Sequence, residues 1–308
     1  MPNPLVGDDC KMQFAKKVFY TLKSFAEHPL NRDSKIKSLV RYCLAQTGVR
    51  LISGDIGVPF PNETKLLISP RMKGATHFIS PGLCEFDEMC FVSHFLRADD
   101  LFVDVGANVG AYTILASGVA GSRTVAFEPN PSTFRYLAEN VRMNDLQKRV
   151  AMYNAAVGHA EGKLRLTDHL GTENFVCVDG QDPHSVEVPV MTLDTVLSHG
   201  FPMLIKVDVE GFEAEVFAGG EKTLSAPAMQ SMIVERNGLA ARYGFDEAAL
   251  HRKIQAFGFI PCAYVAMERR LVRVASEAQG NIVYVRDFAF AQERLRTATP
   301  FRFAGKAI

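Results

Sequence analysis

Leu101-Phe102-Val103-Asp104-Val105-Gly106-Ala107-Asn108-Val109-Gly110-Ala111-Tyr112-Thr113 is the stretch that decides the fold. It reads as an apolar strand, Leu101–Val105, carrying an acid near its end and opening through a glycine turn into a helix expected near Tyr112–Val119. Glycine lets the backbone approach a ligand closely, and the amides at a helix start face negative charge. A dinucleotide fingerprint needs G-x-G-x-x-G to seat a pyrophosphate. Here the run is Asp104-x-Gly106-x-x-x-Gly110, with Asn108 where the middle glycine would stand. That spacing points away from NAD and suits S-adenosylmethionine, which has no pyrophosphate.

Outward from this stretch, strand-like and helix-like segments alternate in the manner that builds a parallel sheet with covered faces. Further strands are expected at Arg123–Phe127, Val150–Asn154, Met203–Val207 and Ser231–Glu235, with helices at Glu85–Phe95, Ser132–Met143, Phe212–Leu224 and Asp246–Phe257. Phe259–Val265 and Asn281–Arg286 read as two closing strands, with a turn at Glu268-Arg269-Arg270. The second strand ends at Glu128, twenty-four residues after Asp104, where an acid can accept both ribose hydroxyls. Pro129 and Asn130 follow it and would shape the rim around an adenine.

A second cluster lies in Ile205-Lys206-Val207-Asp208-Val209-Glu210-Gly211. Lys206, Asp208 and Glu210 stand at i, i+2 and i+4, so an extended segment would place all three on one face. A lone lysine is costly to bury on a central strand unless a carboxylate such as Asp208 lies beside it. Glu235 ends the next strand, so Asp208, Glu210 and Glu235 are expected to converge on one pocket; the structural alternative is a salt-bridged network that only holds the strand end.

The rest of the chain bounds the answer. It has 308 residues, 47% of them hydrophobic, and Lys plus Arg equals Asp plus Glu at 34 each, so no global field gathers nucleic acid or an anionic membrane. Six cysteines are scattered without a C-x-x-C pair, as in a reduced, cytoplasmic protein without zinc. There is neither a run of about 18 apolar residues nor a secretory signal. Lys11–Phe25 has the stripe of an amphipathic basic helix, and a second helix is expected from Asp33 or Ser34 to Gln46. Short strands or a small hairpin follow, including Lys65-Leu66-Leu67-Ile68. This divides the chain into an N-terminal extension (1–80), a main domain (81–290) and a C-terminal tail (291–308), with the N-terminal helices as the candidate oligomer contact.

Four blocks carry a family resemblance: Phe102 to Thr113, Phe127-Glu128-Pro129-Asn130-Pro131, Ile205 to Gly211, and Gly280-Asn281-Ile282-Val283-Tyr284-Val285. In this order, over roughly residues 85–286, the chain resembles an FkbM-type methyltransferase. The resemblance implies a Rossmann-like class I fold with a seven-stranded, mostly parallel sheet, helices on both faces and a terminal antiparallel hairpin. It also implies methyl transfer from S-adenosyl-L-methionine, with S-adenosyl-L-homocysteine as product, to a hydroxyl of a sugar, glycan or natural product. By the same resemblance Asp104, Gly106, Asn108 and Gly110 would surround the methionine part, Glu128 would hold the ribose, and Asp208 would face the reacting centre. Ala107, Tyr112, Thr113, Pro129 and Asn130 complete the expected cofactor set.

A hydroxyl becomes a nucleophile once deprotonated, and a partly desolvated carboxylate can take the proton, so Asp208 is the first candidate base, ahead of Glu210 and Glu235. Mg²⁺ held by the clustered acids is the less favoured device, and no residue is assigned as a metal ligand. His159, His169, His184 and His199 are expected to fall in loops as solvated bystanders rather than as site residues. An RNA ribose 2'-O-methyltransferase would share the fold and resemble the Lys206, Asp208 and Glu235 set, but the neutral charge and the absence of a basic stripe argue against it. A catalytically inactive cofactor-binding scaffold is the remaining alternative.

Overall fold

The computed structural model describes residues 27–31, 40, 43, 47, 54–69, 78, 82–168, 174–177, 183–275 and 279–308. The helix expected over Lys11–Phe25 lies outside these residues, as does all but isolated positions of the one expected over 33–46. Chain order runs β1 (Ile56–Pro59), β2 (Lys65–Ile68), α1 (Phe86–Phe95), β3 (Leu101–Val105), α2 (Ala111–Ile114), β4 (Arg123–Phe127), α3 (Pro131–Met143), β5 (Val150–Tyr153), β6 (Ala156–Val157), β7 (Gly162–Thr167), β8 (Ser185–Met191) and α4 (Leu193–Val196). It continues with β9 (Leu204–Val207), α5 (Glu213–Ala218), α6 (Glu221–Ser225), β10 (Ser231–Arg236), α7 (Glu247–Ala256), β11 (Ile260–Val265), β12 (Arg270–Arg273), β13 (Gly280–Val285), α8 (Phe288–Arg296) and a last short hairpin, Arg302–Phe303 with Lys306–Ala307.

The main sheet has the order β12-β11-β13-β10-β9-β3-β4-β5. β10, β9, β3, β4 and β5 pair in parallel, and β13 is antiparallel to both β10 and β11. This is the Rossmann-like class I arrangement with one correction: the sheet of the described residues has eight strands, not seven. Beyond Val265 a 3-10 turn, Ala266–Glu268, and Arg269 at φ +48 reverse the chain, which runs back as β12 on the edge of β11.

Side chains alternate across the sheet, and the alternation sorts the core into two layers. Phe102 and Leu204 join the layer built with α1, α2 and α3, while Val103, Val105, Ile205 and Val207 join the opposite layer with α5 and α6. Asp104 and Lys206 fall on the first side by the same alternation, and they are partners across the β3–β9 register.

Two expected helices differ in detail. The helix read over Phe212–Leu224 is broken into α5 and α6 at Gly219-Gly220, where a Cβ on Gly219 would lie 2.0 Å from the carbonyl oxygen of Gly158. The helix read near Tyr112–Val119 begins as α2 and continues as a π-helical turn over Leu115–Val119. After β5 the chain forms a separate small sheet of order β6-β8-β7 in place of a crossover helix. No helix among the described residues is long and apolar enough to cross a membrane.

The expected N-terminal hairpin is β1 paired antiparallel with β2, and its Val58, Phe60, Leu66 and Ile68 are buried in the main core. Two asparagines one turn apart, Asn140 on α3 and Asn144 at its C-cap, hold its edge. Asn140 accepts a hydrogen bond from the Leu67 amide (2.5 Å) and donates to the Leu67 carbonyl (3.0 Å), and Asn144 does the same with Lys65 at 2.8 Å each way. Asn140 also donates to the carbonyl of Val109 in the glycine loop (2.8 Å). Asn140→Ala should lower the unfolding free energy by about 3 kcal/mol, because the buried Leu67 and Val109 groups lose their partner. Asn144→Ala, at the more exposed end, should cost under about 1.5 kcal/mol; urea unfolding of both variants checks the ranking.

Candidate active site

The carboxyl ends of β3, β4 and β9 meet at the glycine loop. Gly106 sits at φ +81, and a Cβ there would lie 1.9 Å from the carbonyl oxygen of Asp208, so only glycine lets β3 and β9 close at this point. The amides of Gly106 and Ala107 both donate to the carbonyl of Phe127 (3.0 and 2.8 Å), which stitches the loop to β4. Asn108 takes a left-handed conformation, φ +53, and its side chain accepts from the Val109 amide at 2.8 Å.

Glu128 directly follows β4 and accepts backbone N–H groups on both oxygens: Asn108 on Oε2 at 2.9 Å and Asn130 on Oε1 at 2.8 Å. Burial pushes its carboxyl up to about 7 against the pull of these donors. Asn130 caps α3 by accepting from the Ser132 and Thr133 amides and donates its own amide to Asp168 at 2.7 Å.

Between these elements opens a pocket of about 800 Å³ including its mouth. Gly106, Asn108, Glu128, Pro129, Asp208 and Glu210 line it. The remaining expected cofactor residues stand behind this lining. Asp104, 1% exposed, accepts from the Thr113 hydroxyl at 2.7 Å, and burial pushes its carboxyl up to about 6 while Lys206 opposes the rise. Ala107, Gly110 and Asn130 are buried, and Tyr112 turns away from the pocket, its hydroxyl donating to Glu85 at 2.6 Å. Tyr112 follows Gly110 by two residues, and that helical phase carries it toward α1.

The acidic cluster forms around Lys206, which is 2% exposed. Its Nζ donates to Asp208 Oδ2 at 2.5 Å and lies 4.6 Å from the centre of the Tyr112 ring. Burial works against the lysine charge, yet Asp208, Glu85 and Asp104 hold its proton more tightly than in an ordinary lysine. Glu235 is hydrogen-bonded to Asp208 and accepts from the Asn237 amide at 2.8 Å. Burial first, then the charge of Asp208 and that shared hydrogen bond, push Glu235 up to about 8. Glu210 departs from the extended face read in the sequence. β9 stops at Val207, and the chain turns at Glu210 (φ +54) and Gly211 (φ +100), so Glu210 enters the pocket beside Asp208 from a different direction.

The sequence reading missed the apolar wall: Phe127, Val157, Leu166, Phe175, Val176 and Phe212. One signal was available, the alternation of Val186, Val188 and Val190 with polar neighbours in β8, which is strand periodicity inside an apparent loop. Over this wall lies a turn from Leu239 to Tyr243, where Arg242 stacks 3.9 Å over the Phe175 ring and the Tyr243 hydroxyl bonds both backbone groups of Val176. Among the described residues no three His, Cys, Asp or Glu side chains are grouped to hold a metal ion.

The Methyltransferase FkbM domain matches residues 104–261, more than half of the chain. The chain belongs to the FkbM methyltransferase family. It is a methyltransferase of class I, and the family implies use of S-adenosylmethionine. Similar proteins include Methyltransferase 1 of Beauveria bassiana, 25% identical over 53% of this chain and 74% of that protein. The hexuronic acid methyltransferase AglP of Haloferax volcanii is 30% identical over 44% of this chain, which spans only 56% of that protein. Among solved structures, the FkbM methyltransferase of Methylobacillus flagellatus aligns at a TM-score of 0.45 and 14% identity, over 80% of this chain and 59% of that one.

Asp104, Glu128 and Glu235 keep protons in the folded chain that an unfolded chain releases near pH 4. The folded state therefore binds more protons between about pH 4 and 8, and stability falls as pH rises through that window. Glu128→Gln should flatten the slope between pH 5 and 7 by at most about 1.4 kcal/mol per pH unit. Urea unfolding of the wild type and variant at pH 5, 6 and 7 measures it; parallel curves would refute the assignment.

Proposed function

We propose that the protein is an O-methyltransferase that moves the methyl group of S-adenosylmethionine to a hydroxyl of a sugar, glycan or natural product, with Asp208 as the proton acceptor. The observation that carries this reading is the placement of Asp208: it lies at the pocket rim, held by Lys206 on one side and Glu235 on the other. The name of the Haloferax volcanii relative, a hexuronic acid methyltransferase, supports a sugar acceptor.

The residues fit the cofactor on structural grounds. Both Glu128 oxygens are fixed by backbone donors yet keep acceptor capacity for vicinal ribose hydroxyls. The wall of Phe127, Pro129, Val157 and Leu166 suits a flat apolar ring such as adenine. The close approach at Gly106 leaves backbone, not side chains, facing the methionine end. When bound, S-adenosylmethionine supplies an activated methyl group on a positively charged sulfur.

The protein then has two tasks, alignment and deprotonation. Lys206 keeps the Asp208 carboxylate in one position. Asp208 takes the proton of the incoming hydroxyl on its free oxygen, while Glu235, which keeps its own proton at neutral pH, stays hydrogen-bonded to it. Glu210 stands in the same pocket as a second carboxylate that orients the acceptor.

Asp208→Asn should lower methyl transfer from labelled S-adenosylmethionine to a panel of methyl glycosides and hexuronic acids by about 10²-fold or more. Affinity for S-adenosylhomocysteine, by calorimetry, should stay within about threefold; full turnover in the variant would overturn the base assignment. Ribose hydroxyls favour the ionised form of Glu128, so binding of S-adenosylhomocysteine near pH 6 should release a proton and tighten as pH rises. Calorimetry in buffers of different ionisation enthalpy reads the release, and Glu128→Gln should abolish it.

A further inference from the structure

Outside the pocket lining, Lys206 has a second set of partners that the reaction as described does not use. Glu85 immediately precedes α1, and both of its oxygens are held: Tyr112 donates to Oε2 at 2.6 Å and Asn281 donates to Oε1 at 2.8 Å. Tyr112 is the ring beneath the Lys206 ammonium. Asn281 is the cross-strand partner of Glu235 in the β10–β13 register. Glu85 is thus tied to both ends of the carboxyl pair, through Tyr112 to Lys206 and Asp208, and through Asn281 to Glu235. After Asp208, it is the strongest carboxylate influence on the Lys206 charge.

We propose that Glu85 is a positioning residue for the proton acceptor: it draws part of the Lys206 charge away from Asp208 and so keeps the Asp208–Glu235 pair basic enough to take a hydroxyl proton. The inference rests on the reading of Asp208 as the base. A single buried cation 2.5 Å from Asp208, left to itself, would stabilise the carboxylate and weaken it as a base. A second anion, bonded to the ring that lies under the same cation, reverses part of that effect. Distance is not the mechanism here, since Glu85 need not touch the acceptor.

Other charged groups also face the pair. Lys206 and Asp104 come from the central strands, Glu88 from α1, and Glu210 and Glu213 from the loop and helix after β9, with Glu128 across the pocket. Glu88 is pushed up to about 7 by burial, so it carries only part of a charge at neutral pH. Asn237 and Asn281 contribute hydrogen bonds without charge. Glu85 differs from these in bonding both the ring under Lys206, through Tyr112, and the cross-strand partner of Glu235, Asn281.

The test is a titration that needs no acceptor. The full chain, labelled with carbon-13 at its glutamate side-chain carboxyls, is followed by NMR from pH 4 to 10, with Glu235→Gln assigning the resonance. Glu85→Gln should move the Glu235 inflection down by about one pH unit, a tenfold loss of proton affinity. Tyr112→Phe keeps the ring under Lys206 but removes the donor that partly screens Glu85, so it should move the inflection up. Shifts of opposite sign in the two variants support the proposal. An inflection unmoved in both, or moved the same way in both, overturns it and leaves Glu85 a structural brace, whose loss would lower the melting temperature alone. Should Glu85→Gln fail to fold, Tyr112→Phe decides: an upward shift supports, and no shift or a downward one overturns. Full turnover in Asp208→Asn would sink the base assignment without touching this titration, so the two failures are distinguishable.

Discussion

The interaction on which the site depends is the one between Lys206 and the carboxylates around it. β9 lies in the middle of the sheet, and every residue from Leu204 to Val207 is buried, so the lysine has no route to water. Removing such a charge from solvent costs several kcal/mol and is tolerable only with well-placed partners. Those partners come from four separate places: Asp104 on β3, Asp208 past the end of β9, Glu85 ahead of α1, and the face of Tyr112 on α2. The cation therefore does more than neutralise one acid. It dictates that the glycine loop, the end of β9 and the start of α1 be held in one relative arrangement, since moving any of them strands a buried charge.

Much of this was legible from residue order alone, and the reasons are local. β3 and β4 match the expected strands residue for residue because each is a mostly apolar run bounded by a glycine turn, Gly106 after β3 and Gly121 before β4, and both lie inside the sheet. The acids at their ends were readable because ligand sites in such sheets lie at the carboxyl edge. Tyr112 was misplaced for an equally local reason: membership in a contiguous motif says nothing about helical phase, and two steps past Gly110 the side chain points to α1. Glu210 lines the same pocket as Asp208 but not on one extended face with it, because the alternation ends with β9 at Val207. Glu85 and Asn281 lie 196 positions apart in sequence and meet only through tertiary packing, so no spacing rule reaches them. The helix expected over Phe212–Leu224 splits at Gly219 because of a backbone contact with Gly158, another long-range fact.

The two ends of the pocket are built from unlike materials. One wall is apolar and belongs largely to the small sheet β6-β8-β7 and the residues that follow β7, an insertion between β5 and β9. The other carries the carboxyls of Glu128, Asp208 and Glu210, with Glu128 pushed up to about 7 by burial. A ligand with a flat apolar group at one end and a positive centre toward the other matches that division without rearranging the sheet. Tyr243 and Arg242 couple the insertion to the turn after β10, so the apolar wall is not an independent flap.

The paired amides of Asn140 and Asn144 have a consequence outside catalysis. A two-stranded hairpin leaves an open edge whose unmet N–H and C=O groups can template the addition of a strand from another molecule. On β2 those groups at Lys65 and Leu67 are met by two side chains that reproduce the donor and acceptor pattern of a neighbouring strand. Helix α3 thus acts as a surrogate edge strand, and the hairpin is closed to intermolecular growth on that side as long as the helix stays docked.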